Sequence, residues 1–378
     1  MTLSNRKILR TLLCLLAGTL YAVCLSACDA KEPLSENRDA EIESPVIAND
    51  LSNQKVTAIA EDTQGHIWIG TFRGLNKNNV HDYHQYFCTD DSLGLPDNQI
   101  THLLRDSKNR FWVGTVNGVC LYTDKDNFRI IPIEADNKNV RQILEDRNGR
   151  IFLNTGFQLY AYHPREEKIT CVLPEISPGN AFYAQCHIAP DNNLWVMTST
   201  GLRCYDPSTL QLKESVALSG YPYYSYLHNN ELWITGNHTL SIFDTRTHSF
   251  KPLPQPIAHN TTLCNADIDY IHPYGNNGLL LNTARHGMFY YNPGTGSVTR
   301  QDENGFPFEM PRFRISRMFT DSQQNLWIGS VDQGYTVCYH YKERFNNDNY
   351  LRSELNNKSV VSLSAGKDHK LWISTLMD

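Results

Sequence analysis

The chain has 378 residues, of which 40% are hydrophobic, 20% charged and 11% aromatic. That is too apolar for a disordered chain, and long enough for one large all-β domain or two to three ordinary ones. The net charge is −6, and three of the basic residues (Arg6, Lys7 and Arg10) lie in the acid-free first 27, so the body is more acidic still. An acidic body has no electrostatic footprint for nucleic acid or anionic lipid, and nucleic acid is excluded as a partner class.

The amino terminus has the pattern of an export signal. A basic segment, residues 5–10, precedes an apolar run at 11–25 and then Leu25-Ser26-Ala27-Cys28. These four residues resemble the bacterial lipobox, in which cleavage before the cysteine frees its thiol for lipidation, so Cys28 is the expected lipidation site. The alternative is an uncleaved anchor helix, although the apolar run is shorter than the ~20 residues a bilayer span needs. Either reading places the rest of the chain in the periplasm or otherwise outside the cytoplasm, attached to a membrane. Residues 29–50 read as a linker, of which 42–49 could supply a strand that closes a ring.

From residue 51 one unit recurs eight times. Its core is an acidic residue, two variable positions, Gly or Asn, a variable position, an apolar residue, Trp, an apolar residue, Gly and Thr. An alternating apolar run precedes it, and Gly-apolar-x-apolar-Tyr follows. All six tryptophans, Trp68, Trp112, Trp195, Trp233, Trp327 and Trp372, fall in one slot, which Phe152 and Leu280 fill in the other two copies. Successive slots lie 44, 40, 43, 38, 47, 47 and 45 residues apart. No apolar pattern of period 3.6 persists long enough for a substantial helix. A period near 43 with four short strands per unit is the signature of a β-propeller.

Each unit supplies four strands in turn. In the third unit the first strand is 140–145, and the Asp146-Arg147-Asn148-Gly149 turn follows it, with Gly suited to positive φ. The second strand carries the Trp slot, as a wedge between neighbouring blades. The third is exemplified by 201–205 and the fourth by 168–173. Seven complete blades occupy 51–357, giving an all-β, seven-bladed propeller. The eighth copy (358–378) has only its first two strands and reads as the start of a second, truncated propeller.

Seven cysteines lie outside the signal, an odd number at irregular spacing, which makes a poor disulfide framework. Cys120, Cys204 and Cys338 share a third-strand context and are expected as small buried side chains at one repeated position. A Cys171–Cys186 bridge is left open. Asp62, Asp106, Asp146, Asp191, Asp321 and Asp368 recur at the first turn of the unit, where they are expected to cap it by accepting backbone N–H bonds. The histidines show no H-E-x-x-H or other metal spacing. There is no phosphate loop and no nucleophile elbow, so neither metal, cofactor nor catalytic residue is expected.

The stretch 62–75, Asp-x-x-Gly-x-Ile-Trp-Ile-Gly-Thr-x-x-Gly-Leu, closely resembles the two-component regulator propeller repeat. The resemblance covers nearly all of 51–378. It is strong in units one, two and seven and weaker in four to six, where Trp233-Ile234-Thr235-Gly236 and Leu281-Asn282-Thr283 depart from it. It implies the periplasmic sensor region of a Bacteroidetes-type hybrid two-component histidine kinase, one that detects oligosaccharides and dimerises through downstream regions. In that family a second propeller, a β-sandwich, a membrane helix and the kinase follow, so no kinase chemistry is assigned to this chain. Cys28 is a departure from the family pattern. Alternative readings are a free-standing lipoprotein that binds glycan or protein partners, and a propeller lyase or glycosidase.

Propeller topology divides the connections between two faces. The first-to-second and third-to-fourth turns are short and stereotyped. The second-to-third loops and the blade-to-blade connections vary, and variable loops on a rigid scaffold carry recognition. They hold Phe72, Arg73, Asn117, Tyr223, Tyr224, His238, Arg285, His286, Arg312, Arg314, Asp332 and Gln333. These residue types suit sugars, with aromatic faces for C–H surfaces and charged or amide groups for hydroxyls and carboxylates. Arg73, Tyr223, Arg285, His286, Arg314 and Asp332 are expected to converge on one face near the central channel.

Overall fold

The structure, a computed structural model, describes residues 51–78, 83–89, 94–123, 126–135, 137–176, 184–311, 313–340, 360–365 and 371–375. The expected signal with Cys28, the linker with its possible strand at 42–49, Asp368 and Arg312 lie outside these residues.

The repeat folds as expected, into a seven-bladed β-propeller. Six antiparallel sheets have four strands each in meander order, and three strands of the seventh are described. The first strands are Val56–Glu61, Ile100–Arg105, Gln142–Glu145, Gln185–Ile188, Pro222–His228, Ile268–Tyr274 and Ile315–Thr320. Each contacts the first strand of the next blade, and the seventh contacts that of the first, so these strands ring a central channel. Two single-turn helices, Gln255–Ala258 and Thr261–Cys264, interrupt the connection from blade five to blade six.

Seven apolar clusters sit between the blades, and a slot residue lies in every one. Trp68 packs on Leu103, Val113 and Phe128 of blade two, and Trp112 on Val140, Ile143 and Tyr160 of blade three. Phe152, Trp195, Trp233 and Leu280 repeat the contact around the ring. Trp327 closes it against Val56, Ile67 and Ile69 of blade one. All seven are buried. Trp372 is a correction: expected to be buried like the others, it is 66% exposed. Its two strands, Val360–Ala365 and Leu371–Thr375, form a sheet of their own, and among the described residues no neighbouring blade covers the indole.

The other motif residues have local causes. The slot glycines allow close approach: a Cβ on Gly70 would lie 2.5 Å from Ile100 Cγ2, and one on Gly329 would lie 2.6 Å from Val56 Cγ1. The turn aspartates cap as expected, and they do more. Asp106 Oδ1 accepts the N–H groups of Lys108 and Arg110, while Oδ2 takes the Trp112 indole N–H at 2.8 Å. Asp62–Trp68 and Asp321–Trp327 repeat this, each at 2.9 Å. Asp191 is different, for it lies two residues past the equivalent position, which is Ala189. The Trp195 and Trp233 indole nitrogens, lacking that aspartate, are buried without a partner.

The cysteines also need correction. Cys120, Cys204 and Cys338 pair with Val113, Trp195 and Leu326, three different registers relative to the slot rather than one position. Cys120 and Cys204 are buried, but Cys338 is only partly so. Cys171 and Cys186, like the other five described cysteines, are free thiols.

Candidate functional site

The variable face is built on a repeated brace. The threonine that ends the second strand turns its hydroxyl into the next loop. Thr71 Oγ1 donates to Gly74 O at 2.8 Å, Thr115 to Gly118 O at 2.9 Å and Thr283 to Gly287 O at 2.7 Å. The same oxygens accept the N–H groups of Arg73, Asn117 and His286. In blade seven Ser330 takes this part, accepting the N–H groups of Asp332 and Gln333. The brace fixes the backbone and leaves Arg73, Arg285, His286 and Asp332 exposed.

A second device acts at the start of the first strand, on the same face. Its register slips by one residue in blades one, two, five, six and seven, so Thr57, Thr101, Tyr223, Asp269 and Ser316 sit out of the ladder. Such bulges re-aim a side chain. At Asp269 the result is a carboxylate on the wall of a cavity of about 440 Å³ between blades six and seven.

That cavity gathers Arg285, Arg314, Asp332 and Gln333 with Asp269, Asn282 and Gln301, and with Met310, Pro311 and Phe313 from the blade connection. Asn282 Nδ2 donates to Asp269 Oδ1 at 2.6 Å. Desolvation by the wall raises the Asp269 pKa, against the lowering influence of the Asn282 bond and the Arg314 charge. Tyr223 is not among the lining residues; burial, helped by Asp267 and Asp269, pushes its hydroxyl up to about 12. Two guanidiniums and two carboxylates around an amide-rich, partly apolar hollow can hold a ligand that presents several hydroxyls or a carboxylate.

Three of the six expected residues (Arg285, Arg314 and Asp332) therefore line one cavity, and Tyr223 does not. Arg73, in blade one, and His286 are not among its lining residues. Tyr224 is not a loop residue: its hydroxyl donates to Ile271 O within the ring. His238 binds Asp267, through its N–H, and Asn265 O at the next blade interface. Asp269, Asn282 and Gln301 were missed by the sequence reading. For Asp269 the signal was available, as the bulge position two residues after Ala266-Asp267 is the only acid at that place in any described blade.

Among the described residues no group of three or more potential metal ligands gathers. None of their helices is long and apolar enough to cross a membrane.

The family profile of the two-component regulator propeller matches residues 50–73 and 94–117. No curated protein sequence matches the chain significantly. Among solved structures, the extracellular domain of the hybrid two-component system BT3049 from B. thetaiotaomicron is similar at TM-score 0.62 and 20% identity. The alignment covers 85% of this chain and 45% of that one. The extracellular domain of BT4673 from the same organism gives 0.62 at 19% identity over 88% of this chain and 44% of that one. Virginiamycin B lyase from Staphylococcus aureus gives 0.59 at 14% identity, over 78% of this chain and 96% of the lyase. Identities this low establish the fold alone. This chain carries two-component regulator propeller repeats on that fold, and it spans less than half of the two extracellular domains it matches.

Proposed function

We propose that this chain is the ligand-sensing propeller region of an extracytoplasmic two-component sensor, and that it takes an oligosaccharide at the cavity between blades six and seven. The observation that carries the reading is the convergence of Arg285, Arg314, Asp269 and Asp332 on one cavity at the variable face of a propeller with two-component repeats. Bidentate arginines and carboxylates give directional bonds to hydroxyls, and Phe313 offers a ring for a sugar C–H face. Binding, rather than turnover, is the role assigned, so the chain is read as a sensor and not an enzyme. Membrane attachment through Cys28, and a homodimer formed through regions of the whole receptor, belong to the same proposal.

The test is calorimetric titration of neutral and acidic oligosaccharide panels into the purified protein, followed by Arg285→Ala and Arg314→Ala. Binding should weaken at least tenfold in each. Binding that survives both replacements places the ligand elsewhere, and hydrolysis or elimination of a panel member supports a propeller enzyme instead.

A further inference from the structure

The channel wall is asymmetric in a way that the repeat makes readable. The first strand of each blade is a sheet edge, so its inner N–H and C=O groups need partners from outside the sheet. Four blades receive them from the preceding blade. Gln142 Oε1 accepts Cys186 N at 2.9 Å, and Gln185 Oε1 accepts Ser225 N at 2.6 Å. The Tyr224 hydroxyl spans Ile271 N and O, and the Tyr270 hydroxyl spans Met318 N and O at 3.3 Å each. Gln142, Gln185, Tyr224 and Tyr270 hold one register position, and the bridged residues hold the next.

The same position in the remaining blades is Arg317, Ala58 and His102, three consecutive members of the ring. Ala58 has nothing to reach with. Arg317 turns back, donating through Nη1 to Ser316 O at 2.7 Å, and pairs with no carboxylate among the described residues. It lies close enough to His102 and Tyr224 to influence both. The edge groups of Ile59, Leu103 and Ile143, equivalent to the four that are bridged, are bridged by no side chain of the preceding blade among the described residues. Thr57 Oγ1 and Ser316 Oγ, in the same sector, are buried without a partner. One side of the channel is therefore closed by side-chain bridges. The other holds an unneutralised guanidinium beside unbridged backbone edges, in a body whose net charge is negative.

We infer that the sector bounded by Arg317, Ala58 and His102 is a binding site for a small oxyanion, either a carboxylate or an inorganic anion, held by the Arg317 guanidinium and the free inner-edge amides. A guanidinium and unpaired backbone N–H groups are donors that suit such an ion. None of Arg317, Ala58 and His102 lines the oligosaccharide cavity, and the inference does not rest on that reading.

The repeat also supplies the test. Glutamine is the native bridging residue in blades three and four, so Arg317→Gln and Ala58→Gln introduce a side chain that the position already accepts. Acetate and inorganic phosphate, each titrated at constant ionic strength against a chloride background, should raise the melting temperature of the wild-type protein saturably, as a ligand bound only by the folded state must. Arg317→Gln should weaken the apparent affinity at least tenfold. Ala58→Gln should raise the ion-free melting temperature and lower the response to anion, because the new amide occupies the free edge. An equal anion response in Arg317→Gln and wild type, or a linear and unsaturable one, marks a general salt effect and overturns the site. A wild-type protein that shows no response overturns it as well.

Discussion

Blade four contains a vacancy that its siblings define. At the first turn Ala189 N donates to Asn193 O at 2.9 Å, just as Asp106 N donates to Arg110 O at 3.0 Å and Asp321 N to Asn325 O at 3.0 Å. Asn192 adopts φ 66° where Asn109 adopts 63° and Gln324 67°. The backbone is the same, but the carboxylate is missing and the Trp195 indole N–H is buried with no acceptor. Ala189→Asp should restore the arrangement, with Oδ1 facing the N–H groups of residues 191 and 193 and Oδ2 facing the indole.

A hydrogen bond to a charged group contributes about 1.5–3 kcal/mol, and pairing a buried orphan donor removes a penalty of about 1–3 kcal/mol. Against these stand the desolvation of the new carboxylate, several kcal/mol, and its repulsion from Asp191. The net expectation is stabilisation by about 1–2 kcal/mol, or a rise of roughly 2–4 °C in melting temperature on the scale of large domains. Urea unfolding of wild type, Ala189→Asp, Trp195→Phe and the double variant completes a cycle, in which the coupling between the two sites should be about 1–2 kcal/mol. Loss of stability in Ala189→Asp, or the same gain when residue 195 is Phe, would refute the assignment of the indole as the beneficiary.

Other expectations follow from the same packing. Trp112→Ala should cost about 3–5 kcal/mol, read from the urea midpoint, because the ring is wholly buried between blades two and three. Acid should destabilise the fold through His102, His187 and His272, whose pKa values burial lowers to about 4. The unfolded chain binds these protons near pH 6.5, so their contribution is complete above that pH and is lost as pH falls from 6.5 to 4. Replacing His272 with Gln should flatten the stability curve in that window by about 1–3 kcal/mol, at roughly 1.4 kcal/mol per pKa unit, and an unchanged slope would count against a neutral buried ring. Gln324→Asn should stabilise by up to about 1 kcal/mol in the same assay, since residue 324 holds a left-handed φ of 67° that Asn tolerates better.

The fold was legible because a packing requirement repeats. A wedge that must separate adjacent blades recurs once per blade, and six of its eight occurrences are the largest apolar side chain, so register and blade number could be read from Trp alone. The same logic misled at Trp372, where sequence shows the wedge but not whether a neighbour covers it. It misled again at the third-strand cysteines, whose flanking residues look alike although each sits one place further along the strand. Patterns of this kind record which residues alternate; they do not record absolute register.

The candidate site was legible only in part, for a physical reason. Loops carry no period, so Arg285, Arg314 and Asp332 could be placed on a face by topology, but their meeting in one cavity depends on the course of the 301–314 connection. Asp269 and Asn282 lie in strands, where a polar residue ordinarily reads as part of the scaffold. What separates them is comparison between blades at equal register. The bulge position that holds Thr57, Thr101, Tyr223 and Ser316 holds Asp269 in blade six, and the slot-plus-two position, Gly70, Gly114 and Gly329 in blades one, two and seven, is Asn282 in blade six as it is Asn154 in blade three. Glycine at that place lets the next blade approach within contact; in blade three the Asn154 amide donates to Gln142 Oε1 and Ala184 O, whereas in blade six the Asn282 amide donates to Asp269. What sets blade six apart is the pair, an acid at the bulge position facing an asparagine at slot-plus-two on the wall of the cavity, and neither residue alone marks the site in the sequence.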